Sequence, residues 1–468
     1  MKRIALLLAL YMWACTSPSY PGIDKPNSGG NTMEDQEIID YIDQRLESEY
    51  YWLDEVVSKC NTFDRRVEWE NYLESVLSRL TTNADDGYVT SKGQRVYYSY
   101  IREVPSSTRS QVKGLGIDLH TTIVVIDTES NYYGFIVEDV YKGSPAEKGG
   151  VRRGDIIVRV NDGNITPNNY VTLFNSIYKN TLTSAKFVLY RQVVADGEPN
   201  TLSVELVADG YTESTVAHSE IIEGEKPVGY LVYTGFEPSS DEALLAALRR
   251  FADAGVKEVI LDLRTNTGGS LSSALKLTST LLAATYEGAV LCEAKRNPKN
   301  IRSAVSEIFQ LQPMDFHVGI DHLTVITSGS SASASELVIM GLRGLDIPVT
   351  LVGDTTQGKN CGMDVTSRDI GSVTVEYAPI TFMCLNAKGF GDWGDGIPAD
   401  VDVKSLDENY PLPRVPWGYD NVVYDAALRM ALEGVGYIFE DTRSTRFDDH
   451  ISGVAVMAEE IRGVRLYE

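Results

Sequence analysis

The sequence predicts an α/β protein, and three observations carry that prediction. The stretch from Val228 to Leu282 reads strand, helix, strand, helix, as Val228–Tyr233, Asp241–Ala254, Val259–Arg264 and Leu271–Leu282. A second unit runs from Leu323–Ile326 through Leu337–Leu342 to Val349–Val352. Strands alternating with helices imply βαβ units, and these strands are nearly all apolar, as strands covered on both faces are. The texture before Val228 is different. Helical periodicity runs from Glu34 to about Gln111, then short strands and turns run from Val112 to about Val207. A helical domain (34–111) and a mostly β domain (112–207) therefore precede an α/β core (208–435), and residues 436–468 form a tail with no readable role.

At 468 residues the chain has room for about two to four domains. Its net charge of −24 argues against nucleic acid, whose phosphates call for Lys and Arg. Met1-Lys2-Arg3 is basic, and Ile4 to Trp13 is an apolar run too short to span a bilayer. That pattern is a secretion signal. A small residue, Ala14, precedes Cys15, which resembles a bacterial lipoprotein cleavage site. The expectation is a signal peptide over 1–14, a lipid on Cys15 that attaches the chain to a membrane, and residence in the cell envelope, periplasmic or on the outer surface. The alternative is an ordinary secreted protein cut later. Residues 15–33, rich in Ser, Pro, Gly and Asn, read as a flexible tether.

In the helical part, Ile38, Ile42, Leu46 and Leu53 recur near a period of 3.6. Trp69, Tyr72, Leu73, Val76, Leu77 and Leu80 form a second apolar stripe. Both predict packing against the next domain, with no chemistry of their own. Cys60, Cys292, Cys361 and Cys384 match no zinc spacing. Cys361 and Cys384 flank two predicted strands, Asp364–Ser367 and Ser372–Tyr377. Either they pair, as an exported protein allows, or they are buried free thiols.

The β part opens with Gly114-Leu115-Gly116-Ile117, then carries Gly143-Ser144-Pro145-Ala146-Glu147 and Gly149-Gly150-Val151-Arg152-Arg153-Gly154-Asp155-Ile156-Ile157. Together these segments resemble a PDZ domain. The resemblance implies that the amides of Leu115, Gly116 and Ile117 hold a peptide's terminal carboxylate and that the peptide adds a strand to the sheet edge. Tyr170–Tyr178 would be the helical wall of that groove. The implied partners are proteins or peptides with free C-termini.

Within the core, Ser330-Ser331-Ala332-Ser333-Ala334-Ser335-Glu336 joins the strand Leu323–Ile326 to the helix Leu337–Leu342. A strand-to-helix turn of small residues can expose one side chain and aim backbone N–H groups at a carbonyl. A plain Ser-rich helix cap is the other reading. Gly353-Asp354-Thr355-Thr356-Gln357-Gly358-Lys359 follows the next strand. The pair of segments resembles the C-terminal processing peptidases, or tail-specific proteases, as does Leu261-Asp262-Leu263-Arg264-Thr265-Asn266-Thr267-Gly268-Gly269. The resemblance covers about Val112 to Leu432. It implies a ClpP/crotonase-like core, Ser333 as nucleophile and Lys359 as its base. It also implies an oxyanion hole made by the N–H of Ala334 and that of Gly268 or Gly269, with Gly268 favoured. No cofactor and no metal are implied. The family often has glutamine four residues after the lysine, where this chain has Met363; Asn360 and Asp364 are the polar neighbours that could substitute.

The chemistry is consistent with this. A serine hydroxyl needs a neighbouring base, and none of the five histidines, His120, His218, His317, His322 and His450, sits in a triad motif. Lysine serves only when neutral. Its free pKa is about 10.4, and burial can lower it by up to about 3–5. The function expected is a serine endopeptidase with a Ser333–Lys359 dyad. Two alternatives stand beside it: a non-catalytic peptide-binding protein, and an apolar-ligand binder on the same fold.

Overall fold

The computed structural model describes residues 11–12, 32–90, 93–104, 112–127, 132–191, 201–301, 306–403, 416–418 and 422–433. Cys15, nearly all of the predicted signal peptide and tether, and the tail 436–468 lie outside the described residues. Of the leader, only a two-residue strand is described, β1 (Tyr11–Met12).

Three helices follow: α1 (Met33–Ser48), α2 (Leu53–Lys59) and α3 (Trp69–Leu77). A capping box starts α1. Thr32 Oγ1 accepts the Asp35 N–H at 3.1 Å, and the Asp35 carboxylate accepts the Thr32 N–H at 2.7 Å. The predicted stripes are buried, including Ile38, Ile42, Leu46, Tyr72, Val76 and Leu77. The helical prediction fails beyond Leu77. A turn through Asp85-Asp86-Gly87 leads instead into short strands, of which β2 (Tyr100–Glu103) is the longest. Gly87 is required there: its φ is +134°, and a Cβ would meet Val96 O at 2.0 Å. Tyr100 enters β2, and Tyr97 and Tyr98 lie in the connection before it; aromatic residues suit such strand-forming segments better than a helix.

The β domain holds β3 (Ile117–Asp127), β4 (Tyr132–Val140), β5 (Ile156–Val160), α4 (Tyr170–Tyr178), β6 (Ser184–Tyr190) and β7 (Thr201–Val207). The sheet is antiparallel with order β7-β6-β5-β4-β3, so β3 is an edge, with α4 packed beside it. Phe135, Val137, Ile157, Phe187 and Leu189 fill its core. The buried Asp155 carboxylate ties the start of β5 to Arg191 at 2.8 Å.

The α/β core contains β8 (Val216–Ile222), β9 (Val228–Tyr233), α5 (Asp241–Asp253), β10 (Glu258–Asp262), β11 (Gly269–Ser270), α6 (Leu271–Leu281), β12 (Val290–Arg296) and β13 (Glu307–Gln310). It continues with β14 (His322–Thr327), α7 (Ala334–Gly344), β15 (Val349–Gly353), β16 (Cys361–Met363), β17 (Thr366–Ile370), β18 (Val373–Ala378), β19 (Ile380–Asn386), β20 (Val401–Asp402) and α8 (Val422–Glu433). The main sheet runs β8-β9-β10-β14-β15-β20, parallel from β9 onward. Leu244, Leu248 and Phe251 of α5 pack on one face with α6 and α7; α8 covers the other against Tyr230, Ile260 and Ile326. Gly229 in β9 leaves room for the Phe251 ring, which lies 2.7 Å from where a Cβ would sit. Burying a side chain such as Phe251 contributes about 1.5–3 kcal/mol.

A second, antiparallel sheet has the order β11-β1-β16-β19-β12-β13, so Tyr11–Met12 lies between Gly269–Ser270 and Met363. A third sheet, β17-β18-β2, joins the N-terminal segment to the core. The helices α1–α3 share one apolar cluster with Cys361, Met363, Val375, Tyr377 and Ile380. The N-terminal helices therefore have no core of their own apart from the α/β domain. Cys60, Cys292, Cys361 and Cys384 are free thiols, and the last three are buried.

Candidate active site

The central strand β14 ends at Thr327, and the chain turns sharply before α7. Ser333 takes φ 60° and ψ −113°, a region that a non-glycine residue enters only when its surroundings enforce it, at a cost of order 1–3 kcal/mol. The other serines of the turn supply the enforcement. Ser331 Oγ donates to Leu263 O at 2.8 Å, Ser335 Oγ to Asn266 O at 2.9 Å, and Ser328 Oγ to Arg264 O at 2.5 Å. The turn is thus bolted to the loop that follows β10. Ser333 Oγ is buried and has no hydrogen-bond partner among the described residues. Ser333 is the N-cap of α7, in a capping-box arrangement with Glu336, and its hydroxyl is the one buried hydroxyl in this turn that reaches no partner within normal hydrogen-bond geometry.

Glu336 was quoted in the sequence motif without a role, and the structure gives it one. Its carboxylate is fully buried. One oxygen, Oε2, accepts the Ser333 N–H and the Lys359 N–H, each at 2.8 Å. The other, Oε1, accepts Thr356 Oγ1–H at 2.5 Å and the Gly358 N–H at 2.7 Å. A single carboxylate therefore fixes the serine turn against the lysine loop, and Gln357 N–H donating to Ser331 O at 2.9 Å adds a second tie. Burial raises the Glu336 pKa to about 7 even though its donors pull it down. The only sequence signal was its spacing of three after Ser333, the capping-box interval.

Lys359 is fully buried. Gly358 before it has φ +96°, and a Cβ there would meet Gly394 O at 2.2 Å. Lys359 Nζ lies 4.9 Å from the centroid of the Tyr98 ring. Met363 sits two residues beyond Cys361 on β16, buried in the same apolar cluster as Tyr98. Of the two polar neighbours weighed as substitutes, Asp364 is engaged by Arg296, whereas Asn360 commits only its amide N–H and keeps a buried Oδ1 with no partner among the described residues. Asp364 binds Arg296 at 2.6 and 3.2 Å, and the Asn360 amide donates to Gly391 O at 2.9 Å.

Gly268 packs directly on the serine turn. A Cβ there would lie 2.7 Å from Ser333 Cβ and 3.1 Å from Ala334 N, so only glycine fits. Its N–H donates to Asn266 Oδ1 at 2.8 Å. Asn266 is held in turn by Tyr233 O, which accepts its Nδ2–H at 2.7 Å. Phe236 takes Gly268 O and the Ser270 N–H, so the main-chain groups of Gly269 face the opposite edge, where β1 pairs. The structure thus brings Ser333, Ala334 and Gly268 together while committing the Gly268 N–H to Asn266. Asn266 was legible only as part of the motif.

The predicted peptide-binding residues lie in the β domain, at the head of β3. Leu115 is buried, and its carbonyl accepts the Ala146 N–H at 2.9 Å. Gly116, with φ +78°, leaves no space for a side chain, since a Cβ would meet Ser144 Cβ at 2.1 Å. Ile117 begins the edge strand opposite Val140.

Replacing Glu336 by Gln keeps the shape but turns one acceptor into a donor facing two donors. Each buried donor left unsatisfied costs about 1–3 kcal/mol. Glu336→Gln is expected to lower unfolding stability by at least that amount at pH 5. Because the folded pKa is raised above that of the unfolded chain, the Glu336 contribution is full below the unfolded value and is lost as pH rises through about 7. The wild-type stability advantage over Glu336→Gln should therefore shrink between pH 5 and 8 in denaturant titrations. A constant or growing gap would contradict this assignment.

Residues 227–382 match the family model "Peptidase family S41", and residues 136–174 match the model "PDZ domain". The "Carboxy-terminal processing protease CtpA" of Bacillus subtilis (strain 168) is 23% identical over 350 residues, covering 75% of this chain and 64% of that protein. The chain thus spans under two thirds of that relative's length. The "Probable CtpA-like serine protease" of Staphylococcus aureus (strain COL) is 26% identical over 396 residues, covering 81% of this chain and 71% of that protein. Among solved structures, the "Putative S41 protease from Bacteroides fragilis NCTC 9343" superposes with a TM-score of 0.66 at 22% identity, over 84% of this chain and 97% of that one, which establishes the fold. Residues 227–382 thus match peptidase family S41 and residues 136–174 the PDZ domain, and the strand order around the serine turn and the glycine loop agrees with the fold of the S41 protease.

Proposed function

We propose that the chain is an exported serine endopeptidase in which Ser333 is the nucleophile and Lys359 its general base. The observation that carries this reading is the Glu336 carboxylate, one oxygen of which accepts both the Ser333 and the Lys359 N–H. It sets the main chains of the two residues side by side around an uncommitted, buried hydroxyl. Ser333 Oγ attacks the scissile carbonyl carbon while neutral Lys359 Nζ takes its proton. The resulting ammonium returns the proton to the leaving amine as the C–N bond breaks. Water then hydrolyses the acyl-enzyme, with Lys359 again accepting a proton. The oxyanion is held by the Ala334 N–H and by the glycine loop, where Gly268 exchanges Asn266 for the substrate oxygen or Gly269 supplies the donor.

Ser333→Ala should abolish cleavage of an unfolded protein substrate. Lys359→Ala should do nearly the same, because groups that act as a unit do not lose activity additively. Lys359→Arg should not rescue it, since a guanidinium stays protonated. If Lys359→Ala retains substantial activity, another base operates. If wild-type protein cleaves nothing and Ser333 resists phosphonylating probes, the chain is a peptide-binding protein instead.

The PDZ groove is proposed to capture the C-terminal end of a protein substrate. Its edge strand β3 and the Leu115–Ile117 turn support strand addition with a carboxylate at the turn. Peptides with a free C-terminus should bind more tightly than their amidated forms by titration calorimetry; equal affinities would remove the carboxylate role. Export and lipidation of Cys15 belong to the same proposal and rest on the leader sequence. The mass of the mature N-terminus should show an acylated cysteine at position 15, and an unmodified start beyond it would exclude the anchor.

A further inference from the structure

The N-terminal segment reaches the catalytic lysine, and the groups it places there have no part in the dyad scheme. Asp86 is fully buried and collects four donors: Tyr50 Oη–H at 2.7 Å, Ser99 Oγ–H at 2.7 Å, Ser99 N–H at 2.8 Å and Tyr98 N–H at 3.1 Å. Ser99 Oγ also accepts the Ile380 N–H at 2.9 Å, which pins this network to β19, the strand paired with β16 just beyond Lys359. Tyr98, held through its backbone by Asp86, presents its ring to Lys359 Nζ at 4.9 Å. The neighbouring Asp85 accepts Cys361 Sγ–H through its carbonyl at 3.6 Å. Asp85, Asp86, Tyr98 and Ser99 therefore wall the lysine pocket and are not part of a remote packing module.

We infer that Asp86 and Tyr98 are positioning residues for Lys359, stabilising the ammonium that forms when it takes the serine proton. This rests on the dyad reading above. An aromatic face attracts a cation, more strongly where water is excluded. A buried carboxylate attracts it through a medium of low dielectric. Burial disfavours the Lys359 ammonium, so a base buried without such help would accept a proton poorly at the moment of reaction. The arrangement parallels the carboxylate that stabilises a protonated base in serine hydrolases generally, but here it is delivered by the N-terminal segment.

The titratable groups facing this pocket are Asp85 and Asp86 from the N-terminal turn, Tyr98, Glu336 from α7, Cys361 at the start of β16 after the lysine loop and Cys384 from β19. Glu336 commits both oxygens to other donors. The thiols are held neutral, because burial pushes both well up. Burial raises Asp86 to about 6, its donors and the Lys359 charge working against that rise. Asp86 is thus ionised across the range above pH 6, in which a lowered lysine would titrate.

The test is the pH profile of Ser333 phosphonylation by a fluorophosphonate, measured on full-length wild type, Asp86→Asn and Tyr98→Leu. Asp86→Asn should lower the midpoint by about one pH unit, since an opposite charge favours the charged form. It should also reduce the plateau rate by at least tenfold, because the forming ammonium loses its partner. Tyr98→Leu keeps the apolar wall and should move the midpoint the same way by less. A purely structural role would lower the plateau with the midpoint fixed. An unchanged or raised midpoint in Asp86→Asn overturns the inference. If that variant does not fold by circular dichroism, the direction of the Tyr98→Leu shift decides. The same shift should be read by 13C NMR titration of labelled Lys359 in the Ser333→Ala background, which needs no chemistry. A wild type inert to the probe would sink the dyad reading and with it the role in stabilising a catalytic ammonium, a shift of the Lys359 titration in Asp86→Asn then showing charge coupling alone; a reactive wild type whose Lys359 titration is unmoved by Asp86→Asn would sink this inference and leave the dyad standing.

Discussion

The site depends on one buried carboxylate. Glu336 receives a main-chain N–H from Ser333, one from Gly358 and one from Lys359, together with the Thr356 hydroxyl. Hydrogen bonds to an ionised acceptor are short and strong, and the four offset part of the cost of burying the charge, which still leaves the Glu336 pKa raised to about 7. Thr356 is itself locked to the Ile397 loop, where its N–H donates to Ile397 O at 3.1 Å and its Oγ1 accepts the Ile397 N–H at 2.7 Å. The serine turn, the lysine loop and the Gly396–Ile397 turn thus meet at this residue. Losing it would release the backbone of both proposed catalytic residues at once.

The strain at Ser333 follows from the same construction. A positive φ at a non-glycine residue persists only if its surroundings over-determine it. The neighbours of Ser333 donate to Leu263, Arg264 and Asn266, so the loop after β10 and the turn after β14 form one rigid piece. These two strands are adjacent and parallel, and their C-terminal ends lie side by side. Ligand sites of open α/β sheets gather at such ends. The lysine arrives from the next strand, β15, by a loop that only Gly358 can turn. Three neighbouring parallel strands therefore converge their C-terminal ends on one point, and the second sheet and the N-terminal segment close it from the side.

What was legible in the sequence was local. The β9–α5–β10 and β14–α7–β15 units showed in the alternation of apolar strands with amphipathic helices, and α4 was read with its observed bounds. The serine turn and the glycine loop could be read because short motifs carry their own geometry. The N-terminal part departs from the helical reading past Leu77, where Tyr100–Glu103 take their strand partners from Val375–Ala378, far along the chain. The roles of Glu336, Asn266 and Asp86 were equally hidden. Each depends on partners brought together by the fold: Gly358 and Lys359 for Glu336, Tyr233 for Asn266, and Tyr50 and Ser99 for Asp86. No periodicity records such pairs. A buried ion pair, Arg296 with Asp364, hid in the same way and disposes of Asp364 as a partner for the lysine.

Met363 stands where the resemblance to the processing peptidases leads one to expect a glutamine, and its surroundings in the structure favour an apolar residue. A polar amide there would need partners in a cluster made of Tyr98, Cys361, Val375, Tyr377 and the α1–α3 side chains. Leaving it unsatisfied would cost about 1–3 kcal/mol. Methionine fills the space without that demand, being flexible and apolar. The lysine pocket accordingly has a more apolar wall on its β16 side, which disfavours the ammonium form of Lys359 by desolvation. An apolar wall helps a neutral base exist and hinders it from accepting a proton. In the inference drawn above, the carboxylate of Asp86 and the ring of Tyr98 act in the opposite direction, so the apolar Met363 side and this buried acid would balance one another around the same amine.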